Sequence, residues 1–260
     1  MPYATVGQLC AEIEASTATM AGLAGHDDLT RRIPTCPDWT LRELAIHVGR
    51  AHRWAAAIVG TRSAEFIPFR SVPDGKFPDG AAERAAWLTD GAARLISTVQ
   101  AAGDDLVWAF DEMLPASFWA RRMAHETAVH RADAQIAVGR VPDLAPVLAA
   151  DAIDEWLSNL SELMTDGAAA DPRADALPPG RVLHVHATDD ALAGSGEWTL
   201  RSEVSGITLE HGHGKGDAAV RGPAARLLLV LVRRLPPDDP AVEVIGDGAV
   251  FSRWLERTPF

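Results

Sequence analysis

The stretch His125-Glu126-Thr127-Ala128-Val129-His130 packs metal-ligating side chains closely together. It is close to the HExxH pattern of zinc proteases, but the second histidine comes one residue late. On an α-helix His125 and His130 stand roughly 140° apart and share no face. Glu126 and His130 are four residues apart and do share one, with Cβ atoms about 6 Å from each other. A carboxylate oxygen and an imidazole nitrogen so placed can reach one ion. The same stripe runs on through Ala134 and Ala137, which turns the pair toward the inside of a helical bundle. His47, set among Leu44, Val48, Ala51 and Trp54, is the natural third donor from a second helix. Two His and one Glu leave a coordination position open, as in catalytic zinc sites. Spacing alone serves a second reading at least as well: two buried, hydrogen-bonded histidines with Glu126 as their partner.

The elements that must hold these residues are helical over the first 165 positions. Val6, Leu9, Cys10, Ile13, Thr17 and Met20 keep the three-to-four spacing of an amphipathic helix. A turn-rich stretch with Pro34 and Pro37 follows. Thr40 then reads as an N-cap, with Glu43 closing a capping box at the head of the His47 helix. Residues 60–80 form a loop and Ala81–Ala102 a third helix. Pro115 is expected in the first turn of a fourth, which runs to about Val138 and carries the His/Glu segment. A further helix fits Val147–Met164. Residues 1–165 are therefore expected to be a metal-binding bundle, and 166–180, rich in Asp, Ala, Pro and Gly, an exposed linker.

Beyond the linker the period changes to two. Strands are expected at 182–186, 198–204, 207–210 and 242–245, with an apolar helix over Gly222–Leu235 and a short last one over Ala249–Glu256. The fold class is α plus α+β, with residues 181–260 as the small α+β domain.

Composition limits the partners. A net charge of −12 disfavours nucleic acid. The longest apolar run, Leu227–Val232, is far too short to span a membrane. The N-terminus does not read as a signal peptide, and two cysteines, Cys10 and Cys36, suit a reduced compartment. A cytoplasmic protein, monomer or homodimer, acting on small molecules is expected. The 22 Arg against 2 Lys, with abundant Ala, suggest a GC-rich genome such as an actinobacterial one.

Two segments carry a family resemblance. Pro34-Thr35-Cys36-Pro37-Asp38-Trp39-Thr40-Leu41-Arg42-Glu43-Leu44-Ala45-Ile46-His47 resembles the first motif of the mycothiol-dependent maleylpyruvate isomerase family, and His125 to Asp133 resembles its second. The family belongs to the DinB-like metalloprotein superfamily, whose shared unit is a four-helix bundle. Residues 181–260, including Arg221-Gly222-Pro223-Ala224 and Gly246-Asp247, are similar to its C-terminal domain. The resemblance implies metal ligands at His47, Glu126 and His130, with zinc foremost among the divalent metals this donor set accepts. It also implies a low-molecular-weight thiol, typically mycothiol, ionised by the metal and added to an electrophilic carbon of the substrate. Addition to an activated cis double bond, rotation and expulsion give an isomerase; retention or exchange of the thiol gives an S-transferase.

Other readings use the same ligands. A metal-dependent hydrolase would place an activated water at the open position, and a binding or regulatory protein would not turn over at all. A requirement for added thiol separates them. On the substrate side, Arg233 and Arg234, at the end of the C-terminal apolar helix, are candidates to pair a carboxylate; complementing the helix end is the plainer role. Arg50, Arg53, His26 and His52 read as solvated surface. Trp39, Trp54, Trp87, Trp119 and Trp156 read as core. His184 and His186 share a strand face without a third ligand nearby in sequence, and His211-Gly212-His213-Gly214-Lys215-Gly216 reads as a hairpin turn.

Overall fold

The computed structural model describes residues 4–26, 28–110, 112–164, 173 and 175–259. The chain divides into two compact units, Thr5–Pro142 and Asp143 onward, the second including Ala4. The first is helical and the second is built on a sheet, so the α plus α+β class holds.

In the first unit, helices α1 (Val6–His26), α2 (Leu41–Thr61), α3 (Ala81–Ala102) and α4 (Ser117–Ala137) pack on one another. The start of α2 is the capping box expected there. Glu43 N–H donates to the Thr40 hydroxyl, and the Glu43 carboxylate accepts from Thr40 N–H at 2.6 Å. Leu44 and Val48 of α2 pack with Met20 and Leu23 of α1, and that phase turns His47 toward α4.

Close approach of α2 to α3 rests on a missing side chain. A Cβ on Gly49 would lie 2.0 Å from the Trp87 ring. Arg53 is not solvated as expected; it is buried over the Trp87 ring and donates to the Gly49 and Trp87 carbonyls at 3.0 and 2.7 Å. Burial, with Arg94 adding to it, lowers its pKa to about 10. Arg50 is exposed, its Nε donating to the Gly75 carbonyl.

Two short hairpins escaped the periodicity. Strands β1 (Arg32–Ile33) and β2 (Cys36–Thr40) pair ahead of α2, and β3 (Leu106–Ala109) and β4 (Glu112–Pro115) pair ahead of α4. Pro115 therefore ends a strand rather than opening a helix. Its ring removes one donor, which matters little at a strand end.

The second unit begins with α5 (Pro146–Leu163), so this helix does not belong to the bundle and the first unit stops short of 165. The reason is side-chain specific: buried Asp154 of α5 accepts from Trp198 Nε1 at 3.2 Å and from His211 Nε2 at 2.5 Å. Most of the expected linker lies outside the described residues. Where it is described, Ala176 and Leu177 are fully buried, so that end is not an exposed linker. Strands β5 (Val182–Ala187), β6 (Glu197–Glu203), β7 (Gly206–His211), β8 (Ala218–Gly222) and β9 (Glu243–Gly246) form one sheet in the order β7-β6-β5-β8-β9. All pairs are antiparallel except β5 with β8. Helices α6 (Ala224–Leu231) and α7 (Gly248–Arg257) complete the unit. Helix α6 is shorter than expected because Gly222 ends β8 and Arg233 adopts a left-handed φ of 61°.

One sheet face is apolar: Leu183, Val185, Trp198, Leu200, Ala218 and Val220 are all fully buried. The other bears His184 and His186 on β5, with Thr199 and Glu197 opposite them on β6. Residues 212–217 are not a hairpin turn, since they carry the chain from β7 past β6 and β5 to β8. This strap lies on the polar face. A Cβ on Gly214 would meet the Thr199 hydroxyl at 2.3 Å, and one on Gly216 would meet the Ala218 carbonyl at 2.5 Å. Glycine is required there by contact.

Candidate metal centre

His47 of α2 and Glu126 and His130 of α4 come together. His47 Nε2 lies 2.9 Å from Glu126 Oε1, and His130 Nε2 lies 3.3 Å from the same oxygen. One donor atom from each residue falls within 4.8 Å of the others. His130 is 4% exposed and His47 31%, so the cluster is buried on one side and reached from the other. His125 is buried and is not among the converging donors, as its helical phase required.

Three further groups hold this cluster in place. Asp133, fully buried, lies 2.8 Å from His130 Nδ1 and accepts from the Thr35 hydroxyl at 2.6 Å and from the Cys36 thiol at 3.7 Å. A carboxylate behind a ligating imidazole fixes its tautomer and ring angle, leaving Nε2 as the donor. Arg122, one turn before Glu126, donates to Oε2 at 2.5 Å and so leaves Oε1 to face the two imidazoles. Trp39, at the end of β2, packs against both rings, with centroids 4.8 Å from His47 and 5.7 Å from His130. Trp39 is thus part of the site wall and not helix core. Asp133 lies three residues after His130, a spacing that makes contact on a helix and could have flagged it. Arg122, four before Glu126, carries the same signal.

The electrostatics favour positive charge at this point. Burial alone would lower the His130 pKa, yet hydrogen bonds to Asp133 and Glu126 raise it to about 9. Burial would likewise lift Glu126, but His130, His47 and Arg122 hold its carboxyl well below the usual range. Two His nitrogens and one carboxylate oxygen, with an orienting carboxylate behind, fit a divalent metal of the zinc class.

His52, five residues beyond His47 on the same helix, is fully buried rather than on the surface. Its Nε2–H donates to the Thr127 hydroxyl at 2.7 Å, and that hydroxyl donates to the Met123 carbonyl at 2.5 Å. Burial first, then Arg53, lowers its pKa to about 3. It is a neutral strut between α2 and α4.

Residues 9–135 match the domain family described as mycothiol maleylpyruvate isomerase N-terminal domain. Residues 147–253 match the C-terminal domain of the same family. The chain belongs to the mycothiol maleylpyruvate isomerase family. This is a family of enzymes, and the chain's fold agrees with solved members. The crystal structure of the mycothiol-dependent maleylpyruvate isomerase is 14% identical, with a TM-score of 0.56, covering 93% of each chain. A histidine-to-alanine mutant of that enzyme is 13% identical, with a TM-score of 0.57 and the same coverage. No curated protein matches the chain. Among the described residues no helix is long and apolar enough to cross a membrane.

In this maleylpyruvate isomerase family member the two arginines expected on the substrate side lie in the second unit. Arg233 Nη1 donates to the Leu255 carbonyl at 3.5 Å, and buried Arg234 donates to the Val232 carbonyl at 2.8 Å. Neither belongs to the donor cluster.

Proposed function

We propose that this enzyme isomerises, or transfers a thiol to, a small electrophile of the maleylpyruvate kind. Mycothiol or a similar thiol is the cosubstrate, and a divalent metal, zinc foremost, is held by His47, Glu126 and His130. The observation that carries this reading is the convergence of both imidazoles on Glu126 Oε1, at 2.9 and 3.3 Å, within a family named for its thiol. Bound there, the metal would supply Lewis acidity that ionises a thiol near neutral pH.

The chain's own residues do the positioning. Asp133 sets the His130 ring, Arg122 sets Glu126, and Trp39 walls the cluster. An external thiol is needed because neither cysteine joins the donors: Cys10 is buried in α1, and Cys36 donates to Asp133. Arg233 and Arg234 are the substrate-side candidates for pairing a carboxylate, in keeping with the planar two-toothed geometry of guanidinium. The enzyme works in the cytoplasm, without nucleic acid or membrane.

Metal analysis and spectroscopy test this. His47→Ala, Glu126→Ala and His130→Ala are each expected to lower bound metal at least tenfold, because each removes a ligand. In the cobalt-loaded protein, added mycothiol is expected to raise a sulfur-to-cobalt charge-transfer band. Turnover at full rate without thiol, with no such band, would overturn the reading in favour of a hydrolase.

A further inference from the structure

The polar face of the second unit's sheet holds another convergence of ligating atoms. His184 Nε2 of β5 lies 3.0 Å from Glu197 Oε2 of β6. His213 Nδ1, carried by the strap, lies 2.8 Å from that same oxygen. His186 Nε2 stands 4.0 Å from the other oxygen, Oε1. Donor atoms of His184, Glu197 and His213 all fall within 4.8 Å of one another. In the sequence only the i,i+2 pair on β5 stands out. Antiparallel pairing then sets Glu197 directly opposite His186, and the glycines of the strap let it lie low enough to deliver His213.

We propose that His184, Glu197 and His213, with His186 in reach as a fourth donor, form a second divalent transition-metal site. Three observations support this. First, imidazoles from two separate segments aim at one carboxylate oxygen, the arrangement of the bundle cluster repeated in an unrelated unit. Second, His184 is almost fully buried and its Nδ1 lies 3.1 Å from the Thr199 hydroxyl. That partner orients the ring and frees Nε2 as the ligand atom, as a supporting group behind a metal-bound histidine does. Third, the donor types are those borderline metals select: two or three imidazoles and one carboxylate. His213 is 82% exposed, so an ion can enter from solvent. Bound there, it would pin the strap to the sheet across β6 and β5.

The test uses the full chain, stripped with chelator and titrated with Zn(II) against a chromophoric competitor. His213→Ala suits it because an exposed strap side chain can be truncated without disturbing the core. Wild type is expected to bind one equivalent more than His213→Ala, or to bind that equivalent at least tenfold more tightly. Glu197→Gln should show the same loss. The site is read as a difference, so the result stands whatever the bundle binds. In a His47→Ala/His130→Ala background one equivalent should remain, and adding His213→Ala should remove it. Equal Zn(II) binding by wild type, His213→Ala and Glu197→Gln would overturn the proposal and leave a hydrogen-bonded cluster.

Discussion

His52 joins α2 to α4 beside the candidate metal centre, and its burial as a neutral imidazole can be measured. Its imidazole is fully buried, its Nε2–H is used by Thr127, and its Nδ1 meets no partner among the described residues. Protonation would put a charge and an unsatisfied N–H into the core. The folded value of about 3 lies below the ordinary 6.5, so between them the unfolded chain binds the extra proton. The stabilising contribution is complete above 6.5 and is lost progressively as pH falls toward the folded value. Lowering pH from 7 to 5 should cost about 2 kcal/mol from this residue alone. His52→Gln removes the titrating group. Urea unfolding of both proteins, with chelator present, should show wild type losing about 2 kcal/mol more than His52→Gln over that pH interval. The variant's own baseline penalty cancels in this comparison. Equal losses in the two proteins would refute the buried-neutral assignment.

Asp133→Asn should weaken metal binding in the bundle roughly 10- to 100-fold through His130, measurable by competition titration; His125→Ala should leave it unchanged. Gly49→Ala must displace the Trp87 ring and loosen Arg53, costing about 1–3 kcal/mol by thermal or urea unfolding. Thr40→Ala removes the reciprocal cap of α2 and should cost about 1 kcal/mol in the same assay.

Much of the bundle could be read from spacing, because amphipathic helices announce themselves over many residues. The capping box at Thr40 and the phase separating His125 from His130 both held. The hairpins β1/β2 and β3/β4 did not show, since strands of two to five residues leave too few positions for a period. Strand β8, Ala218-Ala219-Val220-Arg221-Gly222, was hidden for another reason. Its burial alternates, but Ala219 stands on the outer face where a polar side chain would mark the period, and five residues ending in Gly leave little else to read. His52 and Arg53 were misplaced because charge and imidazole suggest a surface, whereas Thr127, Trp87 and Gly49 supply the partners that let them be buried. The cluster at Glu197 was invisible because its members become neighbours only through strand register and the path of the strap.

That path also imposes an order on assembly. In the meander β5–β6–β7 each strand pairs with the next in sequence, whereas β8 reaches β5 only after the chain has passed through β6 and β7. Contacts of the first kind form early and those of the second late. The strap's seat, on Thr199 and on the backbone near His184, exists only once β5 and β6 have paired. Lengthening residues 212–217 should therefore slow the last docking step while sparing the meander. Shortening them should leave β8 without enough chain to reach its place.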